Sequence, residues 1–298
     1  MRVAVTGGRG FVGGSFLRFA KDRQYSVSSW SREQDWEALS TDVDAVVHCA
    51  ARVGDWGPAW EYERDNVETF HRLLRATAAQ NPLIVHISSL GVHEARDHFA
   101  TDEWAPLAKT ALDGYTASKI MCERLAQRAI TEGRRIVILR PGFIYGALDQ
   151  TVLPRIIENL KAGRLTIFGD GTKLMNNTYI ENLCHAIDVS LHHPNVSGQC
   201  FHITDPRLVS KNEFMDSIAQ RVGVDKEIRH LPYALGHALA FAFEKQALLS
   251  HAQTAPLLTR ARLKFLGLNL DFSIAKATHE LGYRPAWDFR DAIQHSLR

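Results

Sequence analysis

The run "RVAVTGGRGFVGGSFLRFA", Arg2 to Ala20, constrains this chain more than any other stretch. A short β-branched segment stops at Gly7 and Gly8, and Phe11, Val12, Phe16, Leu17 and Phe19 then recur at helical spacing. The reading is strand, tight turn, helix. Gly7, Gly10 and Gly13 fall at every third position through the turn. Glycine permits such a turn, lets backbone approach a pyrophosphate and brings helix close to strand, while the first N–H groups of the helix face the phosphates. A glycine cluster alone is weak evidence. At the first strand–helix junction it reads as a dinucleotide turn.

A second strand, "YSVSSW", ends near Trp30, where a dinucleotide fold meets the adenosine ribose. A site for NAD wants a carboxylate there, but this sequence offers Ser31 and Arg32, with a carboxylate only at Glu33. Arg9, within the turn, can reach the same region. Two guanidinium groups beside a 2′-phosphate would each add about 1.5–3 kcal/mol of charge-assisted hydrogen bonding. NADP(H) is therefore expected over NAD(H), the alternative being that the arginines are simply solvated. The stretch "EQDWEALSTDVDA" is too short for a full helix and a further strand, and Asp35 and Trp36 are read as the remnant of the adenine-contacting segment.

The 298 residues carry a formal net charge of +2 and no long basic run, so nothing electrostatic points to nucleic acid. Cys49, Cys122, Cys184 and Cys200 lack ligand or redox spacing and read as small buried apolar residues. With no secretory signal in "MRVAVTGG", a cytoplasmic protein is expected. The histidines His48, His86 and His93 near strand ends form no ligand pair and read as local hydrogen bonders, so no metal is expected. The apolar stretch Tyr233 to Phe243 is too short to span a bilayer; an ordinary buried or interface helix is preferred over peripheral membrane contact.

Further along, "AVVHC" is a buried strand running into Ala50 and Ala51, small residues that let a flat ligand approach the backbone. An amphipathic helix with Asn66 near its start follows, then the strand "LIVHISS" and the helix "GYTASKIMCERLAQR". Alternating apolar strands and helices predict an α/β, Rossmann-like, doubly wound parallel sheet. Tyr115 and Lys119 in the last helix are four residues apart and share a face. Taken alone, such a pair is common on surfaces.

The motifs "TGGRGFVGG", "VVHCAA", "NVETFHRLL", "HISSLGV", "YTASK", "LRPGFIYG" and "TYIENLCHAI", in this order, resemble the extended short-chain dehydrogenase/reductase family of the NAD(P)-dependent epimerase/dehydratase type. The likeness spans nearly the whole chain. "AARVGDWG", "LPRIIENLKAGRLTIFGDG" and the ending "LDFSIAKATHELGYRPAWDFRDAI" look most like the branch of 3β-hydroxysteroid dehydrogenases and olefin-synthesis β-keto-acid reductases. The resemblance implies that Tyr115 exchanges a proton with a substrate oxygen, and that Lys119 binds the nicotinamide ribose and lowers the tyrosine pKa. A phenol near pKa 10 is a poor base at neutral pH, and a neighbouring cation favours its phenolate. The family pattern assigns the hydroxyl that positions the substrate oxygen to Ser89, with Ser88 as substitute, and sets Pro141 against the nicotinamide. The cofactor set is then Gly7, Arg9, Gly10, Phe11, Val12, Gly13, Ser31, Arg32, Ala50, Ala51, Asn66, Tyr115, Lys119 and Pro141.

By the same resemblance, a dinucleotide domain is expected at 1–145 plus 178–205 and a smaller mixed C-terminal substrate domain at 146–177 plus 206–298. The apolar helix at Tyr233–Phe243, with Trp104 and Leu107, suggests a greasy cleft. The expected reaction interconverts a hydrophobic secondary alcohol and its ketone, 3β-hydroxysteroid-like or β-hydroxy/β-keto acyl. A nucleotide-sugar epimerase retaining NAD is the alternative. Homodimers are common in the family.

Overall fold

The computed structural model describes residues 1–23, 25–31, 33–36, 42–225 and 227–297. Its centre is a parallel sheet of six strands in the order β10-β6-β4-β3-β1-β2, formed by β1 (Arg2–Thr6), β2 (Ser26–Trp30), β3 (Ala45–His48), β4 (Leu83–Ile87), β6 (Ile136–Pro141) and β10 (Cys200–Ile203). The apolar runs dictate this arrangement. Val3 to Val5, Ala45 to Val47, Leu83 to Val85 and Ile136 to Leu139 are buried throughout, as strands covered on both faces must be. Alternate residues serve opposite layers. Val3, Val5, Val47, Val85 and Leu139 join one core with Phe16, Leu183 and Ile187, whereas Ala4, Val46, Ile84, Ile136 and Ile138 join a second with Phe70, Leu73 and Ala126. The serine-rich β2 is one edge, and no described residue between Trp30 and Ala45 forms a further strand.

Helix α1 (Phe11–Phe19) packs on the first core. Helix α2 (59–76) is helical throughout but widens to a π-helical segment at Glu63–Glu68, where Asn66 lies. Helix α3 (Gly114–Thr131) carries the Tyr115–Lys119 pair and crosses the second face. Its anchor is Glu123, 3% exposed, which accepts from Ser88 Oγ at 2.5 Å and from Arg140 Nη2 at 2.6 Å. Thus one carboxylate ties α3 to the ends of β4 and β6.

The remaining strands form two-stranded parallel pairs: β5 (His98–Thr101) with β12 (Leu270–Phe272), β7 (Phe143–Tyr145) with β9 (Asn177–Tyr179), and β8 (Thr166–Phe168) with β11 (Arg229–Leu231). The helices between and after them are α4 (Val152–Lys161), α5 (Ile180–His192), α6 (Lys211–Arg221), α7 (Tyr233–Leu249), α8 (Arg260–Gly267), α9 (Ala275–Glu280) and α10 (Phe289–Ser296). Among the described residues no helix is long and apolar enough to cross a membrane. All four cysteines are free; Cys122 and Cys184 are buried, but Cys49 and Cys200 are only partly so.

Removing one partner of the buried Glu123–Arg140 pair leaves an uncompensated charge. Arg140→Met should lower unfolding free energy by about 3–5 kcal/mol. Adding Glu123→Leu should return much of that loss, which urea titrations of the single and double variants would measure.

Candidate active site

Asp113 opens α3 as its N-cap, accepting from Thr116 N at 2.7 Å and Thr116 Oγ1 at 3.0 Å. Tyr115 therefore sits in the first turn and Lys119 one turn on. Ser89 leaves β4 and caps a short 3₁₀ turn, Leu90–Val92, by accepting from Gly91 N at 3.0 Å. It also lies close enough to the Tyr115 hydroxyl to draw that phenol's pKa down. Ser88 faces away, bonded to Glu123 and 2% exposed. Strand alternation separates the two serines: one hydroxyl faces the cavity and the other anchors the helix.

Burial and the nearby Asp113 carboxylate push the Tyr115 phenol up to about 12, against the opposing pull of Ser89. Here the structure corrects the sequence expectation. The Lys119 ammonium lies 5.8 Å from the tyrosine ring centroid and donates to Ile87 O at 2.7 Å, and burial lowers its own pKa. In the protein as folded Tyr115 is a phenol.

The glycine turn is shaped to receive backbone-close groups. Gly7 has φ +73°, and a Cβ there would sit 2.7 Å from Ala50 N; a Cβ on Gly13 would sit 2.4 Å from Gly7 O. Gly10 caps α1 without any side-chain bond, leaving the N–H groups around Phe11 and Val12 open to an anion. Thr6 Oγ1 receives Ala50 N at 3.2 Å and meets His48 Nδ1 at 2.8 Å, holding the strand end beside Ala51. These features fit a dinucleotide pyrophosphate. Arg9 is exposed on the turn. Ser31 follows β2, its N–H donating to Gln34 Oε1 at 2.7 Å; Arg32 lies outside the described residues. Pro141 ends β6 and is buried.

Several expectations change. Trp36 is 1% exposed, stacked near Trp30 and hydrogen-bonded through Nε1 to Ser31 O, so it is core and cannot stack on an adenine. The Asn66 amide bonds the Arg52 peptide through both Oδ1 and Nδ2 and donates to Ser118 Oγ at 2.7 Å, which makes it a brace between the 52 loop and α3. Among the described residues both ring nitrogens of His86 are buried without a partner, so it is no hydrogen bonder; it stacks between His48 and Phe70. Trp104 is 87% exposed and Leu107 bridges to His93, and neither lines the cavity. The apolar helix runs on to Leu249 and packs beside Phe168 and Leu263 instead of lining the cleft.

The cavity itself, about 370 Å³, holds Ser89 and Tyr115 in its wall. Its apolar lining comes from Leu90, Leu112, Phe143, Ile144, Val152, Phe265, Leu270 and Phe272, and its polar groups include His93, Asp113, Thr116, Asn176 and Lys264. His93 is neutral at working pH, held down to about 3 by burial and the nearby Arg140 cation, and meets His202 Nε2 at 3.0 Å. Asn176 Oδ1 has no partner among the described residues. Sequence reasoning missed Asn176 and Lys264, and it gave His93 only as a local hydrogen bonder, which it is, and not as part of the cavity wall. For Asp113 a signal existed, since an acid before "GYT" is a helix-cap pattern. No three His, Cys, Asp or Glu side chains of the described residues gather as metal ligands.

Residues 3–203 match the model of the NAD dependent epimerase/dehydratase family, to which this chain belongs. It is 28% identical over 309 residues to a 4-hydroxy-2-methyl-3-oxo-4-farnesyl-3,4-dihydroquinoline-1-oxide ketoreductase of Stigmatella aurantiaca, covering 95% of this chain and 92% of the relative. It is 25% identical over 323 residues to a 2-alkyl-3-oxoalkanoate reductase of Stenotrophomonas maltophilia, covering 99% and 98%. Dehydrogenases of sterol-4α-carboxylates and 3β-hydroxysteroids also align with it. In fold it is similar to the UDP-glucuronic acid 4-epimerase of Bacillus cereus, with TM-score 0.78, 20% identity, and 99% of this chain and 97% of that one covered. The protein is an NAD(P)-dependent oxidoreductase of the extended short-chain type.

The two serines should part on substitution. Ser89→Ala should reduce kcat by about 10²-fold or more with little change in melting temperature. Ser88→Ala, which strips a bond from a buried carboxylate, should cost about 1–3 kcal/mol of stability and leave kcat within a few-fold. Steady-state kinetics and thermal melts on both variants check this.

Proposed function

We propose that the protein is an NADPH-dependent reductase of a hydrophobic ketone, of 3-oxosteroid-like or β-keto acyl type, using Tyr115 as the proton donor, Ser89 to place the carbonyl oxygen and Lys119 as a cofactor contact. The observation that carries this reading is the pair of neighbouring hydroxyls, Ser89 and Tyr115, in the wall of a mainly apolar cavity. The names of the relatives, a ketoreductase and a 3-oxoalkanoate reductase among them, point the same way.

When bound, the dinucleotide supplies the hydride that adds to the carbonyl carbon. The chain provides position and the proton. The carbonyl oxygen is received between the two hydroxyls; Gly91 N holds the Ser89 oxygen in place, and the Ser89 hydrogen turns from the Tyr115 oxygen to the carbonyl. As charge grows on that oxygen, Tyr115 gives up its O–H proton and completes the alcohol. A phenol held near 12 is protonated throughout the neutral range, so reduction uses the state the fold already stabilises. Oxidation would require the phenolate.

Support for NADP(H) is the exposed Arg9 on the turn and the serine and arginine that follow Trp30 where an NAD site wants a carboxylate. Lys264 is the only lysine or arginine among the described cavity-lining residues, which is sparse for a nucleotide-sugar diphosphate. An epimerase reading therefore has little to stand on beyond the shared fold.

Tyr115→Phe should cut kcat for ketone reduction by about 10²–10⁴-fold while NADPH affinity, followed by fluorescence titration, stays within about threefold. NADPH should bind at least about tenfold tighter than NADH, and Arg9→Ala should erode that preference. NAD retained through purification, or unchanged turnover in Tyr115→Phe, overturns the reading.

A further inference from the structure

Lys264 is the cation of the cavity wall, and its surroundings leave it one hydrogen short of satisfaction. It lies on α8, far along the chain from the Ser89 turn, and reaches back to donate to Gly91 O at 3.0 Å and His93 O at 2.8 Å. An ammonium has three donors. Among the described residues no carboxylate forms an ion pair with it; the acid nearest in effect, Asp113, is engaged as the α3 cap. Glu94, the other acid that acts on it, receives Lys109 N. Gly91 links this ammonium to the reaction centre, since its N–H is on Ser89 Oγ and its carbonyl is on Lys264 Nζ, each at 3.0 Å. One residue spans at most ~3.6 Å. The hydroxyl and the ammonium are therefore no more than roughly 10 Å apart, close enough for one short polar head to reach both.

Building on the reductase assignment, we propose that Lys264 is a specificity-determining residue that binds a carboxylate of the substrate, placed β to the reacting carbonyl, so that the protein selects free 3-oxo acids with a large apolar tail over their neutral esters. The apolar lining takes the tail and Lys264 reads the head. Burial drives the Lys264 pKa down to about 8 against the opposing pull of Asp113 and Glu94, neither of which bonds the ammonium directly; a bound carboxylate would take its third hydrogen. The sign for binding follows. Lys264 is charged below about pH 8 and loses its charge above it, so the KM of an acid substrate rises through that pH while kcat, which depends on the higher-titrating Tyr115, stays level. Asp113, His93 and Glu94 face or act on the same region; His93 is neutral over this range, and burial raises the Asp113 carboxyl above its ordinary value.

The test compares freshly prepared 3-oxododecanoate with its methyl ester, in turnover with NADPH and in calorimetric binding of the matching 3-hydroxy acid and 3-hydroxy ester. The wild type should favour the acid, and Lys264→Met should weaken acid binding and raise its KM by about 10- to 100-fold, the scale of one charge-assisted hydrogen bond, with the ester changed less than about threefold. Lys264→Arg should recover part of the preference. Equal losses for acid and ester in Lys264→Met would reduce Lys264 to a tie between α8 and the Gly91 turn and overturn the proposal. So would a wild type that binds the ester as well as the acid. Absence of turnover with both substrates would count against the reductase reading itself, and the binding comparison would still decide the role of Lys264.

Discussion

Glu123 is a carboxylate buried between a helix and a parallel sheet, and the position of the Ser89 and Tyr115 hydroxyls follows from how it is neutralised. Arg140 from β6 and Ser88 from the end of β4 converge on it, which sets the depth and rotation of α3 against both strands. Two turns earlier on that helix is Tyr115, and one residue beyond Ser88 is Ser89. The meeting of their hydroxyls is thus a consequence of packing at Glu123, reinforced by Lys119 on Ile87 O and by the Asn66 brace on Ser118. A buried ion pair adds little net stability by itself, but breaking it is costly, and that asymmetry favours a single arrangement of the site.

The second half of the cavity is fastened to the first by cations from the C-terminal segments. Lys264 holds the Gly91 turn, Lys211 donates to Leu174 O and Leu268 O, Lys173 pairs with Asp97, and Arg262 with Thr259 grips Asp55 in the loop after β3. Lysine suits this work because its long stem can be buried while its three donors reach carbonyls of loops and segment ends. These ties cover the apolar cavity and leave Lys264 with capacity for a ligand.

How much of this was readable from the chain depended on the distance over which each feature is specified. The glycine turn, the apolar strands and the Tyr115–Lys119 helix are local patterns with a fixed period, and each is present where its residues imply. Trp36 was misread because a tryptophan after β2 fits an adenine contact and a core position equally well, and only its packing beside Trp30 separates them. Composition makes the apolar stretch Tyr233–Phe243 a cleft wall, but the cavity is lined by the helix that follows it, through Ala261, Lys264 and Phe265. Lys264 and Asn176 carry no motif; they matter because of what they face.

By itself the sequence determined the parallel sheet, the dinucleotide turn and the pairing of a phenol with an ammonium on one helical face, because strand burial, glycine geometry and the helical repeat act within a few residues. Which of Ser88 and Ser89 faces the cavity, the protonated state of Tyr115 and the presence of the Lys264 ammonium in a mainly apolar wall were decided by tertiary structure. Each depends on solvent exclusion and on charges contributed from segments far apart in the chain, and no local pattern encodes what will lie across a cavity.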